Sequence, residues 1–191
     1  MSNFLTEKEL TQLGIKSYGK NILIGRYAVL YSPDKLILGD DVRIDDFTII
    51  SGKVTMGSFI HISQFCDIYG GDEGIVMEDF SGLSAKCSVY AVSDDYTGHS
   101  MTNPMVSAKY KPTAISKPVH IGKHAIIGCN SVVLPGADIP EGAAVGSLSL
   151  VTRSLEPWSI NAGIPAKKKT DRARDILELE KNFWVDRGLE V

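Results

Sequence analysis

The sequence predicts an all-β fold, a parallel β-helix wound from hexapeptide repeats, and three observations carry that prediction. Aliphatic residues recur at every sixth position through Leu38, Ile44, Ile50, Met56, Ile62 and Ile68, and again through Ile121, Ile127, Val133, Ile139, Val145 and Val151. Met77, Leu83 and Val89 keep the same period after a shift of phase. Four places after the aliphatic residue stands a small or β-branched one, as at Val42, Thr48, Cys66, Ser81, Cys87, Ala125, Ser131 and Ala143. A 3.6-residue period would put position six on the far side of a helix, and a period of two would mark every second residue. A six-residue repeat instead marks a solenoid in which each hexad makes one short strand and one turn.

Each segment then finds a place in order. Thr6 and Glu9 have capping-box spacing, Leu10 and Leu13 follow, and Gly14 is placed to end a short helix, so residues 1–20 read as an N-terminal helical cap. Residues 21–169 form the coils, about eighteen residues to a turn, stacked at roughly 4.8 Å. Gly or an acidic residue often follows the aliphatic one, as in Ile24-Gly25, Ile44-Asp45, Ile121-Gly122 and Ile127-Gly128, and is expected to take the turn dihedrals at the corners. Tyr69 to Gly74 breaks the phase, as a lip or as a wider turn. Between residues 92 and 117 the beat disappears, leaving a polar excursion too long for a corner. In residues 170–191, Ile176, Leu179 and Phe183 share one face of a C-terminal helix that would cover the last coil or a neighbouring subunit.

Composition narrows the class. The chain has 191 residues, 43% hydrophobic and 23% charged, which is enough to bury a core without disulfides or metals. A net charge of −3 leaves no footprint for nucleic acid. No apolar run is long enough to insert in a membrane and the polar start does not resemble a signal peptide, so a cytoplasmic protein is expected. Cys66, Cys87 and Cys129 are odd in number, lie within repeats and form no CxxC clip; they read as reduced packing residues.

The repeats, with the ending Asn161-Ala162-Gly163-Ile164-Pro165-Ala166-Lys167-Lys168-Lys169, resemble the hexapeptide-repeat acyltransferases. The resemblance implies a left-handed parallel β-helix with the loop protruding from it. It also implies acetyl-CoA as cosubstrate, and an activity like that of the galactoside and maltose O-acetyltransferases or of the enzymes that acetylate O-antigen sugars. Those enzymes carry a catalytic His in a loop at this place, and the local match is Thr97-Gly98-His99. A sugar hydroxyl is a poor nucleophile at neutral pH, so a base must take its proton as it attacks the thioester, and a neutral imidazole suits that task. His99 is therefore the expected base. Asp94 or Asp95 would orient its ring, and Asp95 is the substitute base.

The resemblance also distributes the other roles. Gly128, Cys129, Ser147 and Thr152 would line the pantetheine arm, and Arg153, Lys167 and Lys168 would meet the phosphates. Asp67, Tyr69, Asp72 and Lys86 are acceptor-site candidates; Lys86 stands where the better-known sugar acetyltransferases have Asn. A homotrimer is implied, with sites shared between neighbours. Within the family the acceptor is alternatively an amine on a nucleotide-linked amino sugar, which needs less help from a base. Outside it stand a γ-carbonic-anhydrase-like metal protein drawing on His61, His99, His120 and His124, whose spacing is unpersuasive, and a non-enzymatic assembly subunit.

Overall fold

The computed structural model describes residues 3–188. The described residues wind into six full coils, each giving one short strand to each of three parallel sheets, and a seventh, partial coil adds one more parallel strand to sheet two. Sheet one takes Ser17–Tyr18, Leu36–Leu38, Val54–Met56, Ile75–Met77, Val119–Ile121 and Asp138–Ile139. Sheet two takes Leu23–Ile24, Val42–Ile44, Ile60–Ile62, Gly82–Leu83, Ile126–Ile127, Ala144–Val145 and Ser159–Ala162, and ends in an antiparallel strand, Lys167–Asp171. Sheet three takes Val29–Leu30, Ile49–Ser51, Asp67–Tyr69, Ser88–Tyr90, Val132–Val133 and Leu150–Val151.

Register turns the six-residue beat into three inward columns. On sheet one Leu38 pairs with Met56, Met56 with Met77, Met77 with Ile121 and Ile121 with Ile139. Every aliphatic residue of the repeat is buried, and so are the small residues four places on, from Val42 to Ser149. The interior is thus a stack of like side chains, with the small residues filling the corners between the large ones.

The corners depart from the sequence reading. The glycines after the aliphatic residues do not hold positive φ; the corner residues that do include Phe47, Phe59, Phe65, Phe80, Lys86, His124, Asn130 and Leu148. Glycine is needed for closeness instead. A Cβ on Gly128 would stand 2.5 Å from the backbone nitrogen of Ser147, and one on Gly122 would stand 2.6 Å from that of Glu141.

The caps are also placed by side chains. Helix α1, Glu7–Gln12, has its capping box, with Thr6 accepting from the Glu9 N–H and Glu9 reaching back, and Leu10 closes the first coil. Helix α2, Asp175–Asp186, does not cover the last coil. It runs back along the corner between sheets one and two, where Phe183 and Trp184 meet Phe59 and Phe80 edge-on and Arg187 reaches Asp41. Its packed face keeps Ile176 and Phe183 of the expected one but not Leu179, which is exposed; Glu180 faces the corner instead and binds Lys123 and His124. The last coil is closed instead by the strand pair of sheet two, with the Trp158 ring lying where a Cβ on Gly142 would point.

Candidate active site

The long excursion leaves coil four at the end of sheet three on a two-stranded antiparallel stem, Val92–Ser93 against Ile115–Ser116. Its fold is organised by Asp95, which is buried. One carboxylate oxygen accepts from the Thr97 N–H at 2.8 Å and the Thr97 hydroxyl at 2.6 Å, and the other accepts from the His99 N–H at 2.9 Å and the Thr113 hydroxyl at 2.8 Å. These bonds, that of the Thr97 hydroxyl foremost, hold its carboxyl well below the usual carboxylate range. Asp94, half-buried at the top of the stem, accepts the Asn103 N–H at 2.9 Å. The His99 side chain is exposed, and Asp95 holds its backbone rather than its ring. Tyr96 and Met105, 94% and 92% exposed, stand on the same loop with no part of the described chain over them.

A groove lies on the outer face of sheet two. Outward positions there run Arg43, His61, Gly82, Ile126, and the missing side chain at Gly82 opens a gap between two large ones. The groove encloses about 450 Å³ and is lined by Phe59, Phe80, His61, Gly82, Ser84 and Cys129 among others. It is apolar at the Phe59 and Phe80 end and carries the Ser84 hydroxyl at the corner leading to sheet three.

The four histidines are dispersed. His61 binds Asp45 at 2.9 Å on sheet two; His120 bridges Asp138 at 2.7 Å and Glu78 at 3.0 Å on sheet one. Burial lowers the His120 pKa, but those two carboxylates outweigh it and raise the value overall. His124 is buried under α2, and His99 stands on the loop. Among the described residues no group of three His, Cys, Asp or Glu could hold a metal ion, so the zinc alternative finds no ligand set.

No family model matches the chain. It is 39% identical over 183 residues to the dTDP-4-amino-4,6-dideoxy-D-glucose acyltransferase of Escherichia coli, covering 94% of each chain. The chain belongs to the hexapeptide-repeat β-helix acyltransferases. The activity of this chain is acyl-CoA-dependent acyl transfer. Among solved structures, AntD, an N-acyltransferase from Bacillus cereus in complex with dTDP and 3-hydroxybutyryl-CoA, superposes with a TM-score of 0.96 at 42% identity, over 99% of this chain and 100% of that one. A shorter likeness, 45% over 67 residues, joins 34% of this chain to 32% of the chloramphenicol acetyltransferase of Klebsiella aerogenes.

The residues expected from the family resemblance fall into separate places. Gly128, Cys129 and Ser147 line the corner between sheets two and three, and Lys167 and Lys168 stand on the closing strand of sheet two. Thr152 and Arg153 lie beyond the far end of sheet three. Lys168 is held by Glu156 and Asp171 at 2.8 and 2.7 Å, whereas Lys167 is exposed. Asp67 and Tyr69 face outward on sheet three, where Asp67 accepts from Ser88 and Tyr69 stacks on Tyr90 at 5.3 Å. Asp72 lies on a wider turn and binds Lys35 at 3.3 Å, and Lys86 is an exposed corner residue. Cys66 and Cys87 are buried packing residues, but Cys129 lines the groove and does not belong to the core. Sequence reasoning missed Gly82 and Ser84. Their signal was present: at this coil the column of large outward residues lapses to Gly, and a Ser stands where many other hexads have Gly or an acid.

Proposed function

We propose that this protein is an N-acyltransferase, transferring a short acyl group from acyl-CoA to the amino group of a dTDP-linked 4-amino-4,6-dideoxy sugar used in surface-polysaccharide synthesis. The observation that carries this reading is the use made of Asp95. Activation of a hydroxyl calls for an oriented imidazole base, whereas Asp95 accepts four loop donors, none of them the His99 ring. A neutral amine attacks a thioester without such help. Its nitrogen bonds to the carbonyl carbon, the carbon–sulfur bond breaks, CoA leaves as the thiolate, and the proton the nitrogen gives up to a nearby acceptor passes to that thiolate to make the thiol.

Similarity supports the same acceptor. AntD has been crystallised with dTDP-4-amino-4,6-dideoxyglucose and CoA as a variant at its residue Ser84, and with dTDP and CoA as a variant at its residue Asp94. This chain has Ser84 and Asp94 at the same numbers. Ser84 on the groove would hold the amine by hydrogen bonding, Asp94 would take its proton, and His99 would assist from the loop. The uncovered Tyr96 and Met105 support assembly as a homotrimer in which the loop of one copy lies over another.

The test is to offer dTDP-4-amino-4,6-dideoxyglucose and dTDP-glucose with acetyl-CoA and 3-hydroxybutyryl-CoA, following thiol release and product mass. An amide resistant to hydroxylamine from the amino sugar alone is the expected result. A hydroxylamine-labile ester on dTDP-glucose at comparable kcat/KM would return the reading to O-acylation.

A further inference from the structure

Two corners of the prism carry aromatic ladders, and they differ in one respect. On the corner between sheets one and two, Phe59, Phe80 and His124 stack at 4.8 and 5.2 Å, and α2 covers them with the edges of Phe183 and Trp184. On the corner between sheets two and three, Tyr27, Phe47 and Phe65 stack at 5.5 and 5.0 Å, within 8° and 13° of parallel. No element of the described chain covers this second ladder, whose members are 64%, 50% and 49% exposed. Phe47 and Phe65 also hold φ of 62° and 60°, a costly conformation for a bulky side chain.

The ladder ends where the next corner residue is Lys86, whose N–H bonds the carbonyl of Gln64 beside Phe65. Stacked rings occupy one another's faces, so the face left free at this end is that of Phe65 turned toward coil four. Among the described residues no ring or cation lies over it, and Lys86 makes no ion pair. Ser84 of the groove lies two residues before Lys86 on the same corner.

We propose that Phe65 and Lys86 form the nucleotide subsite: the pyrimidine ring of a nucleoside diphosphate sugar stacks on the free face of Phe65 as the next rung, and the Lys86 ammonium pairs with the diphosphate. The sugar then leads along the corner toward Ser84. This inference rests on the nucleotide-sugar reading above and adds where the nucleotide is held. A single free ring face beside a cation suits a base followed by phosphates, whereas a protein surface would cover the ring edges, as α2 does on the other corner.

The test is calorimetric titration of dTDP, and separately of CoA, into the full-length protein and its Phe65→Ala, Phe65→Tyr and Lys86→Ala variants, with the assembly size of each measured by sedimentation. Phe65→Ala is expected to weaken dTDP about 10-fold or more, Phe65→Tyr to retain it, and Lys86→Ala to weaken it, with CoA affinity unchanged throughout. Unaltered dTDP affinity in Phe65→Ala overturns the placement and leaves the nucleotide-sugar reading standing. Breakdown of the assembly in Phe65→Ala with loss of both ligands also overturns it, making the ladder a contact between copies. Wild-type protein that binds CoA but not dTDP overturns the nucleotide-sugar reading itself.

Discussion

The carboxylate of Asp95 accepts the backbone N–H of His99 at 2.9 Å. Because the same carboxylate also gathers Thr97 and Thr113, it ties the two limbs of the loop together. Asp95→Ala should therefore loosen the loop and leave the coils intact. Trypsin should cut faster after Lys109, kcat should fall, and the thermal midpoint should scarcely move. A variant as protease-resistant as wild type would remove Asp95 from this role.

The same carboxylate sets a pH response. Its pKa in the folded loop is depressed, so its contribution to loop order is fully present above the unfolded value, near 4, and is lost as pH falls through the folded one. Amide exchange at Thr97 and His99 should stay protected, relative to their intrinsic rates, from neutral pH down to about 4 and lose protection only below it. Loss of protection near pH 6 would point to another titrating group.

Acceptor chemistry separates the acidic residue from the histidine. With an amino sugar, Asp94→Asn is expected to lower kcat/KM by about 10²-fold, while His99→Ala costs less than about 10-fold. Steady-state kinetics of the two variants decide the matter. The reverse order would restore His99 as the essential base.

The strap formed by α2 hangs on one carboxylate. Glu180 takes Lys123 at 2.6 Å, the Trp184 indole at 3.0 Å and Nε2 of His124 at 2.8 Å, while Nδ1 of that buried histidine has no hydrogen-bond partner among the described residues. Burial works against the Glu180 charge, but hydrogen bonds from Lys123, Trp184 and His124 outweigh it and bring the pKa down to about 2. Glu180→Ala should cost about 2 kcal/mol and lower Tm by about 4–8 °C. With a depressed pKa, the stabilisation is present above about 4 and fades as pH drops toward 2, which a red shift of tryptophan fluorescence would register.

Close approach of the coils gives a prediction at Gly128. A methyl group there meets the backbone of Ser147, which cannot move without shifting the next coil. Gly128→Ala should destabilise by about 1–3 kcal/mol in urea unfolding. An unchanged midpoint would mean that the coils can part at this corner.

The interior was legible because stacking makes it one-dimensional: Leu38, Met56, Met77 and Ile121 fall in a single column, and the period alone reports which way each side chain points. The corners were less so. Gly122 and Phe80 each suit a turn for a different reason, one for closeness and one for a left-handed dihedral held under a covering ring, and spacing cannot tell these apart. On α2 the aliphatic stripe located Ile176 and Phe183 correctly but not Leu179, whose place at the corner is taken by Glu180, a residue whose partners lie far away in sequence. The site was legible only in part: the loop announced itself by breaking the beat, but the groove is made by the absent side chain of Gly82, and its meaning depends on His61 and Ile126 in the coils on either side.

Met77 of coil four pairs with Ile121 of coil five as directly as it pairs with Met56 of coil three, although the whole excursion lies between the first two in sequence. The stack closes across the excursion without a change of step, and the excursion supplies its own stem and internal bonding. Such a segment behaves as a cassette. It can be lengthened, trimmed or exchanged with that of a relative while the spool that carries it goes on winding unchanged.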